Sequence, residues 1–540
     1  MKWKSRKQKE KELRVFGWQA QDLQPLARGD EAPPFTTQAL GELELKIQGN
    51  IVRPEDPEYH AARQLSNFAF QDFPLLIAYC ELAADVVRCL QFARERRMAV
   101  TLRSGGHSTA GFSIGSGMVI DLSRMNYVAV DADKKQAIVG AGTRFGRLNT
   151  ALDIYNLHVP GGGCHDVCIA GFMQGGGFGY TSRMFGMNCD NVIEAQVLLA
   201  NGGIVVASDA VNPDLFWALR GGTGGNFGIL LQVTYRLHDL GKLWGFRITW
   251  PIESDAEKDR AADVLAELQR GYMAQSKHDK LGYMAFLGWQ DDKPCLVMRG
   301  MFAGTPEKGA AVLEPLTAIG SSTIRQKSGS YLEVDAFIHE KPDLPQVDDL
   351  AREDKQSGYI ARQLTQGDWR DIIDVFLRTP NPWSMIGIEA YGGAINQPAE
   401  DATSFVHRNT SLDLYLDVFW MTDEQREPAV SFLDMFMEFM EKKYFNGRSY
   451  QNYPRRKQID YRQRYWGDYF GQLLSIKRKY DPDTFFSFPQ AVLPEPRAAQ
   501  AAAASSDAKA PDRATARTNA AITAALDAPI TYVRRPAWVA

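Results

Sequence analysis

Residues 160–168 read PGGGCHDVC: three glycines, then two cysteines and a histidine within five residues. These residue types allow three readings. Thiolate and imidazole are common metal ligands, so the stretch fits half of a zinc site. Two nearby thiols also fit a redox pair. The third reading is a loop that brings backbone N–H groups up to an anionic cofactor, because glycine has no Cβ and accepts positive φ cheaply. A zinc site wants a second ligand pair, and none follows, since Cys189 stands alone and His60, His158, His238, His278, His339 and His407 are scattered. No metal is expected. Cys80, Cys89 and Cys295 complete a set of six cysteines, too sparse for a disulfide framework in 540 residues.

Glycine is dense on both sides of this stretch, in RSGGHS at 103–108 and GFMQGGGFG at 171–179. Three such turns close together, one carrying a histidine and one a cysteine, point to a cofactor with a pyrophosphate. GAGTRFG at 140–146 is a weaker candidate. Its spacing is not G-x-G-x-x-G, and LHVPGGGC follows where a second apolar strand ending in an acid would have to stand.

Around the loops, LLIAYC reads as a buried strand and ELAADVVRCLQFARERR as a helix with Leu82, Val86, Cys89, Leu90 and Ala93 on one stripe. MAVTLRSGGHS, GMVIDL and KQAIVGAG follow as strands, a β-α-β start. VIEAQVLLANGGIVVAS is a hairpin turning at Asn201-Gly202-Gly203, and NPDLFWALR opens a helix with Asn212 as cap and Pro213 in its first turn. From about 243 to 445 glycine thins and longer patterns such as KPCLVMRGMFAG and EPAVSFLDMFMEFMEKKY mark a second domain.

The chain is 45% hydrophobic and nearly charge-balanced, with 61 basic and 65 acidic residues, which excludes a dedicated nucleic-acid binder and leaves a small molecule as partner. No apolar run reaches the roughly 20 residues of a membrane span, and MKWKSRKQKEKELRVF lacks the apolar core of a secretory signal. A cytoplasmic protein without membrane partners is expected. The basic N-terminus reads as a solvated end, and RAAQAAAASSDAKAPDRATARTNAAITAA as a low-complexity extension.

With these motifs in hand, the chain resembles the berberine-bridge-enzyme-like branch of the FAD-linked oxidases that share the vanillyl-alcohol oxidase, or PCMH-type, fold. The resemblance rests on RSGGHS, VPGGGC, AGFMQGGGFGYTSRMFGMNCDNV, NPDLFWALRGGTGGNFGI, EAYGGAIN with HR, YQNYP and KRKYDPDTFF, which together span about residues 50–495. It implies an α+β fold in which a two-part FAD-binding domain meets a substrate domain built on an antiparallel sheet. The implied layout is a polar extension over 1–45, the FAD domain over 46–242, the substrate domain over 243–445, a return to the FAD domain over 446–496 and an Ala-rich tail over 497–540.

The resemblance also implies a bicovalent FAD. His107 would bond the methyl group on the flavin's benzenoid ring, and Cys164 the neighbouring ring carbon. Arg103, Ser104, Gly105, Gly106, Ser108, Gly171, Gly176, Gly177, Gly179, Ile229 and Asn452 fall on cofactor-binding positions. Two departures stand beside the tether: His165-Asp166 replace small or proline residues, and Cys168 replaces a glycine. The family position that governs access of dioxygen is Val167, whose modest size suggests an oxidase.

Hydride removal by a flavin needs a base at the substrate carbon. The resemblance gives that role to Tyr453, with Arg455 and Arg456 near in sequence as candidates to stabilise a phenolate; tyrosine otherwise ionises only near pH ~10. Tyr391 falls on a flavin-facing position and Asp413 on a catalytic acid. By the period of two, Asp413, Tyr415 and Asp417 share one strand face. Trp383, Trp420 and Tyr415 are candidate pocket aromatics. The expected reaction oxidises an alcohol or activated C–H group of a sugar or a phenolic or polyketide metabolite, with dioxygen reduced to hydrogen peroxide. The alternatives are a dehydrogenase or oxidative cyclase with another acceptor and, from a different class, a non-catalytic flavin- or metal-binding protein.

Overall fold

The apolar runs at 75–80 and 117–122 form parallel neighbours in a four-stranded sheet, ordered β1-β2-β4-β3. Its strands are β1 (Asn50–Val52), β2 (Leu76–Tyr79), β3 (Val100–Arg103) and β4 (Met118–Asp121). The computed structural model describes residues 33–273, 278–340 and 351–494, so the basic N-terminal cluster and the Ala-rich tail lie outside the described residues. Helix Ala83–Glu95 connects β2 to β3 and buries Val86, Cys89, Leu90 and Ala93 as its periodicity predicts, while Leu82 stands before the helix and is exposed. Asp85, fully buried, accepts main-chain N–H bonds from Gln48, Gly49, Glu81 and Leu82, fastening the chain before β1 to the helix start.

An antiparallel sheet ordered β5-β6-β10-β8-β9 follows, from β5 (Val128–Asp131), β6 (Gln136–Gly140), β8 (Val192–Leu198), β9 (Ile204–Ser208) and β10 (Ile229–Arg236). A two-stranded pair, β7 (Leu157–His158) with β11 (His238–Asp239), stands apart from it. The β8–β9 hairpin turns through Gly202 at φ 87, with Asn201 Oδ1 accepting from Gly203 N. Asn212 corrects its expected role. It precedes the helix Pro213–Leu219 in a left-handed conformation, and its amide donates to Val206 O instead of capping the helix.

The third sheet has seven strands, all antiparallel, in the order β15-β12-β14-β13-β17-β18-β16. They are β12 (Leu243–Pro251), β13 (Leu281–Gln290), β14 (Lys293–Ala303), β15 (Thr323–Gly329), β16 (Arg352–Ile360), β17 (Met385–Ala390) and β18 (Leu412–Trp420). Alternation along β18 divides two environments: Leu412, Leu414, Leu416 and Val418 join a core with helices Asp255–Tyr272, Gln366–Phe376 and Asp423–Lys443, leaving Asp413, Tyr415, Asp417 and Phe419 on the other face.

Two terminal segments of the described chain close a first core, the one that takes up the buried residues of the first two sheets. Helix Thr37–Glu44 falls within the stretch expected to be a polar extension, yet it buries Leu40 and Leu43 in that core and is capped by Thr36. The segment after residue 446 returns to the same core, where Lys477, fully buried, donates to Asp481, to Asn226 O and to Phe486 O. Its three donors are all satisfied, as a buried ammonium requires.

Candidate active site

One cavity of about 1220 Å³ opens between the glycine loops, the inner face of the seven-stranded sheet and the C-terminal return. Arg103, Ser104, Gly105, Gly106, His107 and Ser108 line it, together with Cys164, Gly171, Gly179, Ile229 and Asn452. His107 is open to the cavity but ringed by protein, and this desolvation holds its imidazole below the ordinary range, a neutral ring. Cys164 is exposed to the same space. Arg103 is ion-paired with Asp121, both buried, which fixes the strand from which the His107 loop departs.

The glycines let the loops pack closely along the cavity. A Cβ at Gly105 would stand 2.9 Å from Cys168 Sγ and one at Gly179 only 1.9 Å from Gly161 O, so close backbone approach builds this wall. The volume exceeds the ~300–1,000 Å³ of ordinary single-ligand sites, which leaves room for a dinucleotide and a substrate together.

Cys168 is the buried residue preceding helix Ile169–Gln174; its thiol donates to Gly142 O at 3.3 Å, and burial pushes it up to about 12. Burial and this hydrogen bond make Cys168 a packed thiol of the loop rather than an exposed nucleophile. Gly176 and Gly177 lie behind the cavity wall, contrary to their expected cofactor contact. Gly176 N is bonded to Met173 O, and Gly177 N to the Tyr450 hydroxyl, which also receives Phe178 N and the Asn452 amide. Tyr450, the first tyrosine of YQNYP, thereby ties the C-terminal return to the glycine loop.

On the sheet side, β16, β17 and β18 run in register and present Glu353, Lys355, Met385, Glu389, Tyr415, Asp417 and Phe419 to the cavity. Tyr453 reaches it from the return, and its hydroxyl donates to Glu389 Oε1. Burial pushes Glu389 up to about 8, against the opposing pull of Tyr453 and Lys355, and burial with Glu389 beside it raises the Tyr453 phenol well above its ordinary value. Tyr453 is therefore a neutral donor.

Lys355 Nζ lies 2.5 Å from Asp417 Oδ2 and within 5 Å of the Tyr415 and Tyr453 ring centres. Burial lowers both partners' tendency to ionise, pushing Asp417 up to about 8, but the carboxylates of Asp417 and Glu353 outweigh it at Lys355 and raise the lysine. We take Lys355 as the protonated member, because it faces two carboxylates whereas Asp417 faces one cation. Of the expected arginines, Arg455 pairs with Asp354 and Asp434, whereas Arg456 lines the cavity and its Nε donates to Ala110 O. Gly387 makes room for this cluster: a Cβ there would stand 2.1 Å from the Tyr415 ring.

Two of the three catalytic candidates lie off the cavity. Tyr391 is fully buried, stacked on Phe178 at 5.4 Å and 3.0 Å from the Tyr359 hydroxyl. Asp413 is fully buried beside Glu389 on the adjacent strand, and burial followed by that neighbour raises it well above the carboxylate range, a protonated acid behind the wall. Tyr415 lines the cavity as expected. Trp420 falls on the opposite face of β18, in the helix-covered core, and the half-buried Trp383 is likewise off the lining. Glu353, Lys355 and Glu389 are polar groups of the lining that sequence reasoning missed. EAYGG contains Glu389, and the strand period would have selected it.

Comparison with known proteins gives a consistent result. Residues 74–208 match an FAD binding domain and residues 449–493 the berberine and berberine-like domain. The chain is 30% identical to the uncharacterized FAD-linked oxidoreductase YvdP of Bacillus subtilis, over 83% of this chain and 99% of that protein. It is 28% identical to the carbohydrate oxidase of Microdochium nivale, over 82% and 92% respectively. Among solved structures, Physcomitrella patens BBE-like 1 superposes with a TM-score of 0.75 at 24% identity, covering 84% of this chain and 99% of that one. Chitooligosaccharide oxidase does so at 0.74 and 22%, covering 85% and 100%. A glycine-loop wall facing a carboxylate-bearing sheet, carried by a sequence that aligns almost end to end with such relatives, belongs to an enzyme: the chain is a member of the berberine-bridge-like family of FAD-linked oxidoreductases.

Proposed function

We propose that the protein is an oxidase that holds FAD covalently through His107 and Cys164 and oxidises a hydroxyl-bearing small molecule, with a sugar as the best-supported class. The observation that carries this reading is the placement of both tether residues and the Tyr453–Glu389 pair around one cavity. FAD held there would supply the hydride acceptor and the two-electron chemistry by which dioxygen is reduced to hydrogen peroxide. Tyr453 takes the substrate hydroxyl proton as its own proton moves to Glu389, so the carboxylate is the final base. Its pKa of about 8 suits that task near neutral pH. Lys355 and Asp417 offer a donor and an acceptor, and Tyr415 an aromatic surface, a combination suited to a sugar ring. The names of the carbohydrate oxidase and chitooligosaccharide oxidase relatives support the same class.

The test is peroxide release with matched oxygen uptake across sugars and phenolic alcohols. Turnover of phenolic alcohols alone would reject the sugar assignment, and substrate-dependent flavin bleaching without peroxide would make the enzyme a dehydrogenase.

A further inference from the structure

The histidine after the tethering cysteine is explained by a residue far away in the chain. His165 Nε2 lies 2.5 Å from Asp335 Oδ2, while His339 Nδ1 donates to the Asp335 main-chain O at 2.9 Å and lies 3.4 Å from Asp335 Oδ1. Asp335 sits on helix Tyr331–Ile338, His339 follows the helix one turn later, and Asp335 is almost completely buried between the two rings. His339 Nε2 approaches Gly163 so closely that a Cβ there would stand 3.0 Å away, so the glycine preceding Cys164 gives the ring its place.

We propose that His165, Asp335 and His339 form a binding site for a divalent transition metal of the zinc class, clipping the Cys164 loop to the substrate side of the cavity. Two imidazoles and one carboxylate are a borderline N/O donor set of the kind zinc and cobalt take. The three donor atoms lie within 4.8 Å of one another. An ion at their centre is then at most about 2.8 Å from each, against about 2.1 Å in a formed site, a gap that small rotations of the half-exposed His165 ring and its partners close. Binding replaces the His165–Asp335 hydrogen bond and the one from His339 Nδ1 to Asp335 O, each ring's proton moving to its other nitrogen. Three protein ligands leave one position open, and His165 and His339 both line the cavity, so that position is accessible to water or a substrate oxygen.

The experiment uses flavin-loaded enzyme, stripped with a chelator and dialysed against micromolar zinc sulfate. Parent protein is expected to retain about one zinc per chain and to melt at a higher temperature with zinc than without. His165→Ala and His339→Ala should each lose the zinc and the thermal shift while keeping the flavin spectrum. If His339→Ala does not fold, His165→Ala, at the half-exposed ligand, decides alone. No zinc in the parent, or equal zinc in parent and His165→Ala, overturns the proposal.

Discussion

The two walls of the cavity are built from different material. On one, loops at 103–108 and 161–179 place main chain against main chain, and the side chains of His107 and Cys164 stand on short glycine turns. On the other, three paired strands hold Lys355, Glu389, Tyr415 and Asp417 in register, and the chemistry lies in buried charge balanced by hydrogen bonds. A loop wall suits attachment, since it needs reach and backbone N–H groups; a strand wall suits proton handling, since it needs fixed distances and a low dielectric.

The contrast breaks most visibly if the loop residues do not attach anything. Acid-precipitated parent protein should keep its flavin, each single variant His107→Ala or Cys164→Ala should keep it through the remaining bond, and the double variant should release all of it, read by absorbance of the supernatant. Next in size is the strand wall. Tyr453→Phe and Glu389→Gln should each lower kcat/KM by about 10²–10⁴-fold, the range of a lost general base. Because Glu389 is protonated below about 8, parent kcat/KM should rise as pH passes upward through that value, and the limb should flatten in Glu389→Gln. A pH profile unchanged by the substitution would move the base elsewhere.

A smaller effect sharpens the packing side of the comparison. Gly387→Ala pushes on the Tyr415 ring and should destabilise by about 1–3 kcal/mol, the cost of overpacking, measured by denaturant unfolding. Smallest is Tyr391→Phe, which removes one hydrogen bond to Tyr359 away from the cavity. It should cost about 1 kcal/mol in stability and leave kcat near the parent value, whereas a large loss of kcat would restore Tyr391 to the reaction.

The same contrast decides what could be read from the sequence. His107, Cys164 and their glycines lie in short contiguous motifs, because a loop's local conformation is set by its own residues. Lys355 sits in AREDKQSGY, a charged run that reads as solvated, and only pairing with β18 buries it against Asp417. Glu389 was within view in EAYGG, but the end of β17 turns Tyr391 away from the cavity and leaves the glutamate facing it. His165 meets Asp335 across 170 positions, a distance no local pattern spans.

The return of the chain to its first core carries a consequence for the order of events in the cell. Asn452, Tyr453 and Phe488 line the same cavity as His107, and the buried Lys477 locks their segment to Asn226. Domains form progressively from the N-terminus during synthesis, but this pocket lacks part of its wall until nearly all of the described chain has left the ribosome. The cavity therefore gains its last wall only when residues 450–490 dock on the first core, which places its completion among the final steps of folding.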